Sequence, residues 1–204
     1  MRLFNSLSLA LTLALAGNAQ TAAPDPVPAV ANQPGLYATF DTSLGQIVAE
    51  LYEDKAPQTV KNFVALATGT KPSASKAGIL GRTRYYDGLT FHRVIKGFMI
   101  QTGDTRGTGN TDCGVARLRD EIDASLKFDT VGRLAMANTG SPNTAACQFF
   151  ITVSKPAYLN GSYTIFGQVV SGQDIATKIS EVPTSREKPV VPVIVKKVTI
   201  ERKK

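Results

Sequence analysis

The 204-residue chain contains no tryptophan, one histidine and two cysteines. A Ser-His-Asp or Cys-His hydrolase would need the single ring, His92, as its base. No Gly-x-Ser-x-Gly elbow is present, and neither Cys113 nor Cys147 lies in a nucleophile signature. His92 sits inside an apolar stretch, which is the setting of a buried structural histidine. One histidine and two distant cysteines make a poor zinc set, so no metal is expected. Arg106-Gly107-Thr108-Gly109-Asn110 is glycine-rich but lacks the Gly-Lys-Ser/Thr ending of a phosphate loop, and we read it as a turn-rich loop. No basic-aromatic repeat or finger spacing supports a nucleic-acid partner. The formal charge of +7 is read as a solvated basic surface.

Hydrophobic residues make up 43% of the chain, enough for one core in one domain. The first residues look separate from it. Met1-Arg2 is a short positive start, Leu3 to Ala16 is nearly all apolar or small and uncharged, and Gly17 and Ala19 are small. That is the layout of a secretory signal peptide over 1–19, with cleavage after Ala19, or after Ala23. No other stretch is apolar enough to span a bilayer, so no stable membrane insertion is expected after cleavage. Residues 20–35 are rich in Ala and Pro and read as a semi-rigid linker. The globular domain is placed at 36–204.

Within that domain, Leu36–Thr42 and Gln46–Tyr52 flank a hairpin turn. Ala56–Thr68 has helical periodicity, with Pro57 in its first turn and Gly69 at its end. Lys71–Arg84 reads as a surface loop. Strand-like runs follow at Thr90–Ile95, Phe98–Gln101, Arg133–Ala137, Gln148–Val153 and Thr164–Val169. Asn160-Gly161 carries the signal of a tight hairpin. Gln173–Ser180 reads as a second helix burying Ile175, Ala176 and Ile179, and Val190–Ile200 as a last strand. This pattern predicts a mainly β, closed or nearly closed antiparallel sheet capped at its ends. Periodicity leaves barrel and sandwich open.

Two segments carry more information. One is Tyr85-Tyr86-Asp87-Gly88-Leu89-Thr90-Phe91-His92-Arg93-Val94-Ile95-Lys96-Gly97-Phe98-Met99-Ile100-Gln101-Thr102-Gly103-Asp104. The other is Leu134-Ala135-Met136-Ala137-Asn138, followed by Gln148-Phe149-Phe150-Ile151. Both resemble the signature segments of the cyclophilin family, and the resemblance runs from about Leu36 to Ile200. It implies an eight-stranded antiparallel barrel capped by two helices, with a substrate groove on its outer face. It also implies peptidyl-prolyl cis-trans isomerase activity without a cofactor. Carried over one residue at a time, Arg93 matches the catalytic arginine and Gln101 the residue that orients it. Phe98, Met99, Phe150 and Leu159 match the proline pocket, and Gln148 a polar neighbour. Ala137 and Asn138 match the strand that binds substrate backbone. His92 matches a neighbour outside the chemistry.

The resemblance departs at Tyr158, where the family often has Trp, and at Tyr163, where it often has His. Weaker cyclosporin inhibition is expected from the first change. In the family fold the regions around Cys113 and Cys147 are neighbours, which makes a disulfide an open alternative to two thiols. The implied partners are proline-containing peptides and unfolded exported proteins, handled in a periplasm or outside the cell by a monomer. Read without the resemblance, the apolar site residues fit a core and Arg93 fits half of a buried ion pair. The rival function is a proline-segment binding or chaperone module without catalysis.

Overall fold

The computed structural model describes residues 33–70, 84–110 and 113–204. The leader, nearly all of the linker and most of the 71–84 loop lie outside the described residues.

The expected hairpin forms from Gly35–Thr42 (β1) and Gly45–Leu51 (β2), with Thr42 opposite Gly45. Thr42 Oγ1 donates to Gly45 O at 2.6 Å and accepts from Leu44 N at 3.1 Å, which closes the turn. A helix over Pro57–Thr68 (α1) follows, started by Pro57 and ended by Gly69 at φ 78°. Its own N-cap offers no side-chain bond. Distant Glu121 does the capping: its carboxylate accepts from Gln58 N at 3.0 Å and Thr59 N at 2.8 Å.

Six more strands come next, five of them short: Leu89–Thr90 (β3), Arg93–Ile95 (β4), Met99–Thr102 (β5), Arg133–Met136 (β6), Phe149–Thr152 (β7) and Ile165–Ser171 (β8). The second helix spans Gln173–Ser180 (α2), as expected. Its buried residues include Ala176 and Ile179, but Ile175 is only partly buried and Gln173 is buried instead. Ile175 still packs against the core edge, and Gln173 Nε2 donates to Thr152 O at 3.3 Å, so an amide joins the buried face of the helix. A small hairpin of Thr184–Ser185 (β9) and Lys188–Pro189 (β10) precedes the last strand, Ile194–Lys203 (β11). That strand starts and ends later than the 190–200 run predicted.

The main sheet has nine strands in the order β3-β11-β1-β2-β8-β6-β7-β5-β4. A closed eight-stranded barrel was expected, and the sheet is instead a curled, open half-barrel. Its end strands, β3 and β4, are separated by only Phe91 and His92, so the chain itself holds the two edges near each other. They do not pair. The free edge of β4 is occupied by the small hairpin, with Val94 N donating to Glu187 O at 2.7 Å. The Thr90–Ile95 run is therefore two strands broken at Phe91-His92, and His92 lies in the break.

Inside the curl, Phe63 of α1 meets Phe40, Tyr86, Phe149 and Phe166 with ring centroids 5.1–6.1 Å apart. Such rings gain from edge and offset contacts as well as burial. Ile100, Leu134, Met136, Phe149 and Ile151 also point inward. The alternate residues Met99, Ala135 and Phe150 form a second apolar cluster with Phe128, Leu159 and Ile165 on the opposite face. The strands β5–β7 are thus apolar on both faces.

Asn160-Gly161 is a turn, with Gly161 at φ 76°, but not the predicted hairpin. The residues before it, Ala157–Leu159, form a 3-10 turn rather than a strand. Asn160 Oδ1 accepts from Phe128 N at 2.8 Å and ties this turn to the second cluster.

Candidate active site

The second cluster does not close over. Its outer side opens as a groove of about 310 Å³ lined by Arg93, Phe98, Met99, Gln101, Ala137, Asn138, Phe150, Tyr158, Leu159 and Tyr163. Apart from Gln148, every site residue expected from the sequence stands on this wall. Met99, Phe150 and Leu159 are nearly buried, so they are core and pocket floor at once. Phe98 and Tyr158 flank the opening, with ring centroids 6.0 Å apart, and Tyr158 is 74% exposed. Tyr163 meets Phe150 edge-on at 5.5 Å. The groove thus has an apolar floor sized for a small ring and one cation at its edge.

β4 and β5 place that cation. Their register sets Arg93 opposite Gln101. Arg93 Nη1 donates to Gln101 Oε1 at 3.5 Å, a long contact. Gln101 Nε2 donates to Gln148 Oε1 at 2.9 Å, and Gln148 Nε2 to Asn110 O at 2.7 Å. Gln148 is buried and stands behind the groove. Its acceptor fixes the Gln101 amide so that the oxygen faces Arg93. The Asn138 side chain is committed to Ser162 O and Gly140 N, both at 2.9 Å.

Arg93 also makes an ion pair whose partner, Glu187, the sequence did not identify. Its Nε donates to Glu187 Oε2 at 2.6 Å, from the turn between β9 and β10. Both partners are about half exposed, at 43% and 50% for the side chains. The buried ion pair offered as the alternative reading of Arg93 is thus corrected: the pair exists, but it is half exposed and stands at the groove edge. Nothing in the sequence near Glu187 marked it, because 94 positions separate it from Arg93.

His92 lies beside this machinery. Among the described residues, neither ring nitrogen makes a hydrogen bond of normal geometry; Gln148 comes near the ring without meeting it. Burial holds its pKa below the usual 6.5, aided by Arg93 and Lys188; Asp104 and Gln148 favour the charged ring but do not outweigh burial. Burial pushes the Asp104 carboxyl up, but bonds from the N–H groups of Arg106, Thr108 and Gly109 and the Thr108 hydroxyl bring it below 3.8 overall. Asp104 therefore organises the 105–109 turn. Cys113 and Cys147 form a disulfide, with Cα atoms 6.3 Å apart, which joins this loop to the residue before Gln148. Among the described residues, no three His, Cys, Asp or Glu side chains gather into a set that could hold a metal ion.

The family model for cyclophilin type peptidyl-prolyl cis-trans isomerase/CLD matches residues 37–200. Peptidyl-prolyl cis-trans isomerase A of Mycobacterium tuberculosis is 44% identical over 167 residues, covering 80% of this chain and 91% of that protein. Peptidyl-prolyl cis-trans isomerase B of Streptomyces anulatus is 43% identical over 171 residues, covering 81% and 97%. Among solved structures, a cyclophilin type peptidyl-prolyl cis-trans isomerase of Cryptosporidium parvum superposes with a TM-score of 0.71 at 34% identity, over 82% of this chain and 98% of that one. The same protein in the presence of the dipeptide Ala-Pro gives 0.70.

Proposed function

The chain belongs to the cyclophilin-type peptidyl-prolyl cis-trans isomerases, and we propose that its groove catalyses X-Pro rotation with Arg93 as the catalytic group. The observation that carries this reading is the groove itself, an apolar floor with a single guanidinium at its edge. Rotation must pass an amide resonance barrier of roughly 20 kcal/mol. In the twisted transition state the proline nitrogen lone pair is localised and can accept a hydrogen bond. A guanidinium is permanently charged and offers donors in a rigid plane, so it can supply that bond without moving a proton. The bond is stronger in the twisted state than in the planar one, as catalysis requires.

Phe98, Met99, Phe150 and Leu159 hold the proline ring in this reading. Ala137 and Asn138 receive the substrate backbone, and Tyr158 and Tyr163 form the outer wall. Gln101, aimed by Gln148, orients Arg93. No cofactor enters the reaction.

Export is supported by the leader-like 1–19 segment. The Cys113–Cys147 disulfide suits an oxidising compartment such as a periplasm or the extracellular medium. There the protein would act as a monomer on exported chains with slow prolyl steps.

A protease-coupled assay on a proline peptide tests the mechanism. Arg93→Ala should lower kcat/KM by about 100-fold, the scale of losing one preorganised donor. Equal rates for wild type and variant would overturn the role of Arg93. Equally slow rates would favour a binding module.

A further inference from the structure

The turn that carries Glu187 is unusual for its kind. Ser185 pairs with Lys188 and Thr184 with Pro189, leaving Arg186 and Glu187 as a two-residue loop. Both are left-handed, at φ 49° and 64°. Such a turn is most easily made by Asn-Gly, because both positions need a positive φ that Gly adopts freely and Asn more readily than other residues. Here neither residue is glycine. Backbone strain of this kind is a reason to ask what the side chain does there.

Glu187 is tied to two successive residues of β4. Its carbonyl accepts from Val94 N at 2.7 Å, and its carboxylate accepts from Arg93 Nε at 2.6 Å. The backbone bond sets the depth of the turn against the sheet edge, and the carboxylate then meets Arg93. A guanidinium has five N–H groups in one plane. Nε–H is held by Glu187 and one Nη1–H faces Gln101. Two contacts from opposite sides fix that plane, and the other three N–H groups are left for the groove.

We propose that Glu187 is a positioning residue for Arg93, locking the guanidinium through Nε so that its other donors are aimed before substrate arrives. This rests on the reading of Arg93 as the catalytic group. Preorganised donors need no reorientation at the transition state, which is where the gain lies. Substrate binding, which depends on the apolar floor, is left unchanged.

Glu187→Gly separates positioning from structure, since glycine relieves the backbone while deleting the carboxylate. Glu187→Gly, Arg186→Asn and Arg93→Ala would be compared with wild type for kcat, KM and thermal midpoint. The Arg93 Nε–H signal would be followed by NMR. Glu187→Gly should lower kcat about three- to tenfold, with KM little changed. Its melting temperature should hold or rise, and the Nε–H signal should shift and exchange faster. Arg186→Asn should keep wild-type kcat. Raising salt from about 0.05 M to about 1 M should lower wild-type kcat toward that of Glu187→Gly, because a half-exposed pair is screened.

A Glu187→Gly protein with wild-type kcat and an unmoved Nε–H signal, alongside a slow Arg93→Ala, would overturn the positioning role and leave the Arg93 reading standing. A fall in kcat that tracks a fall in melting temperature and is shared by Arg186→Asn would also overturn it. A fully active Arg93→Ala would remove both readings.

Discussion

Arg93 is oriented by side chains from three separate parts of the chain. Gln101 faces it across the β4–β5 pair, Glu187 reaches it from a hairpin, and Gln148 acts through Gln101. Gln148 touches neither Arg93 nor the groove, so its effect must run through the Gln101 amide. Gln148→Leu fills similar space but removes the acceptor for Gln101 Nε2 and the donor to Asn110 O. Losing such bonds costs about 1 kcal/mol each, so kcat should fall about fivefold through misorientation of Arg93. Steady-state kinetics with KM held near wild type is the expected outcome. A proportional rise in KM would place Gln148 in substrate binding instead. Gly103 shows how tightly this region is assembled. A β-carbon there would lie 2.5 Å from Cys147 O, and its φ is 95°.

At the scale of elements, alternation explains how one short strand serves two purposes. In β5, Ile100 enters the main core while Met99 and Gln101 face the groove. In β7, Phe149 and Ile151 go inward and Phe150 goes outward. Strands this short hold their places through neighbours, and α1 is held the same way. Glu121 supplies the cap that Ala56 cannot. Glu121→Ala should destabilise the protein by about 1 kcal/mol, the usual value of a lost cap. Urea denaturation would measure it, and kcat should be unchanged because α1 does not line the groove. The Glu121 backbone bond to Thr164 Oγ1 survives the change, so the effect isolates the carboxylate.

The whole molecule joins these pieces through two long-range ties. The curl of the sheet returns β4 to the side of β3, and the disulfide fixes Cys113 to Cys147, two residues before β7. A cross-link over 34 positions removes about 4 kcal/mol of loop entropy from the unfolded chain in the chain-entropy account. Protonation couples to the same region. His92 has a folded pKa below the ordinary 6.5, so the unfolded chain takes up the proton first as pH falls. Its contribution to stability is complete above pH 6.5 and declines as pH drops from there toward the lowered value. Glu50 works in the opposite direction, since burial first, and then Asp54, raises its pKa above 4.5. The difference between wild type and His92→Gln isolates the histidine. The stability of wild type should fall more steeply from pH 7 to pH 5 than that of the variant, as read by denaturant midpoints. Parallel curves would show that His92 does not couple to folding.

Much of this protein is local enough to be written in the sequence. The β1–β2 hairpin follows from Thr42 to Gly45, α1 from Pro57 and Gly69, and α2 from its periodicity. These are short-range choices of dihedral and of apolar spacing. The groove residues were legible because their order matches a family, although alternation alone would have put Met99 and Phe150 in a core. Tertiary structure decided the rest. It broke Thr90–Ile95 at His92, turned Asn160-Gly161 into a turn after a 3-10 helix, and left the sheet open where the Glu187 carbonyl takes the edge of β4. It also brought Glu121 to α1 and Glu187 to Arg93. Each of those contacts joins residues more than sixty positions apart, and no local spacing encodes them. They exist because the folded chain brings distant segments together, where a single charged side chain can satisfy N–H groups that the chain alone leaves unpaired.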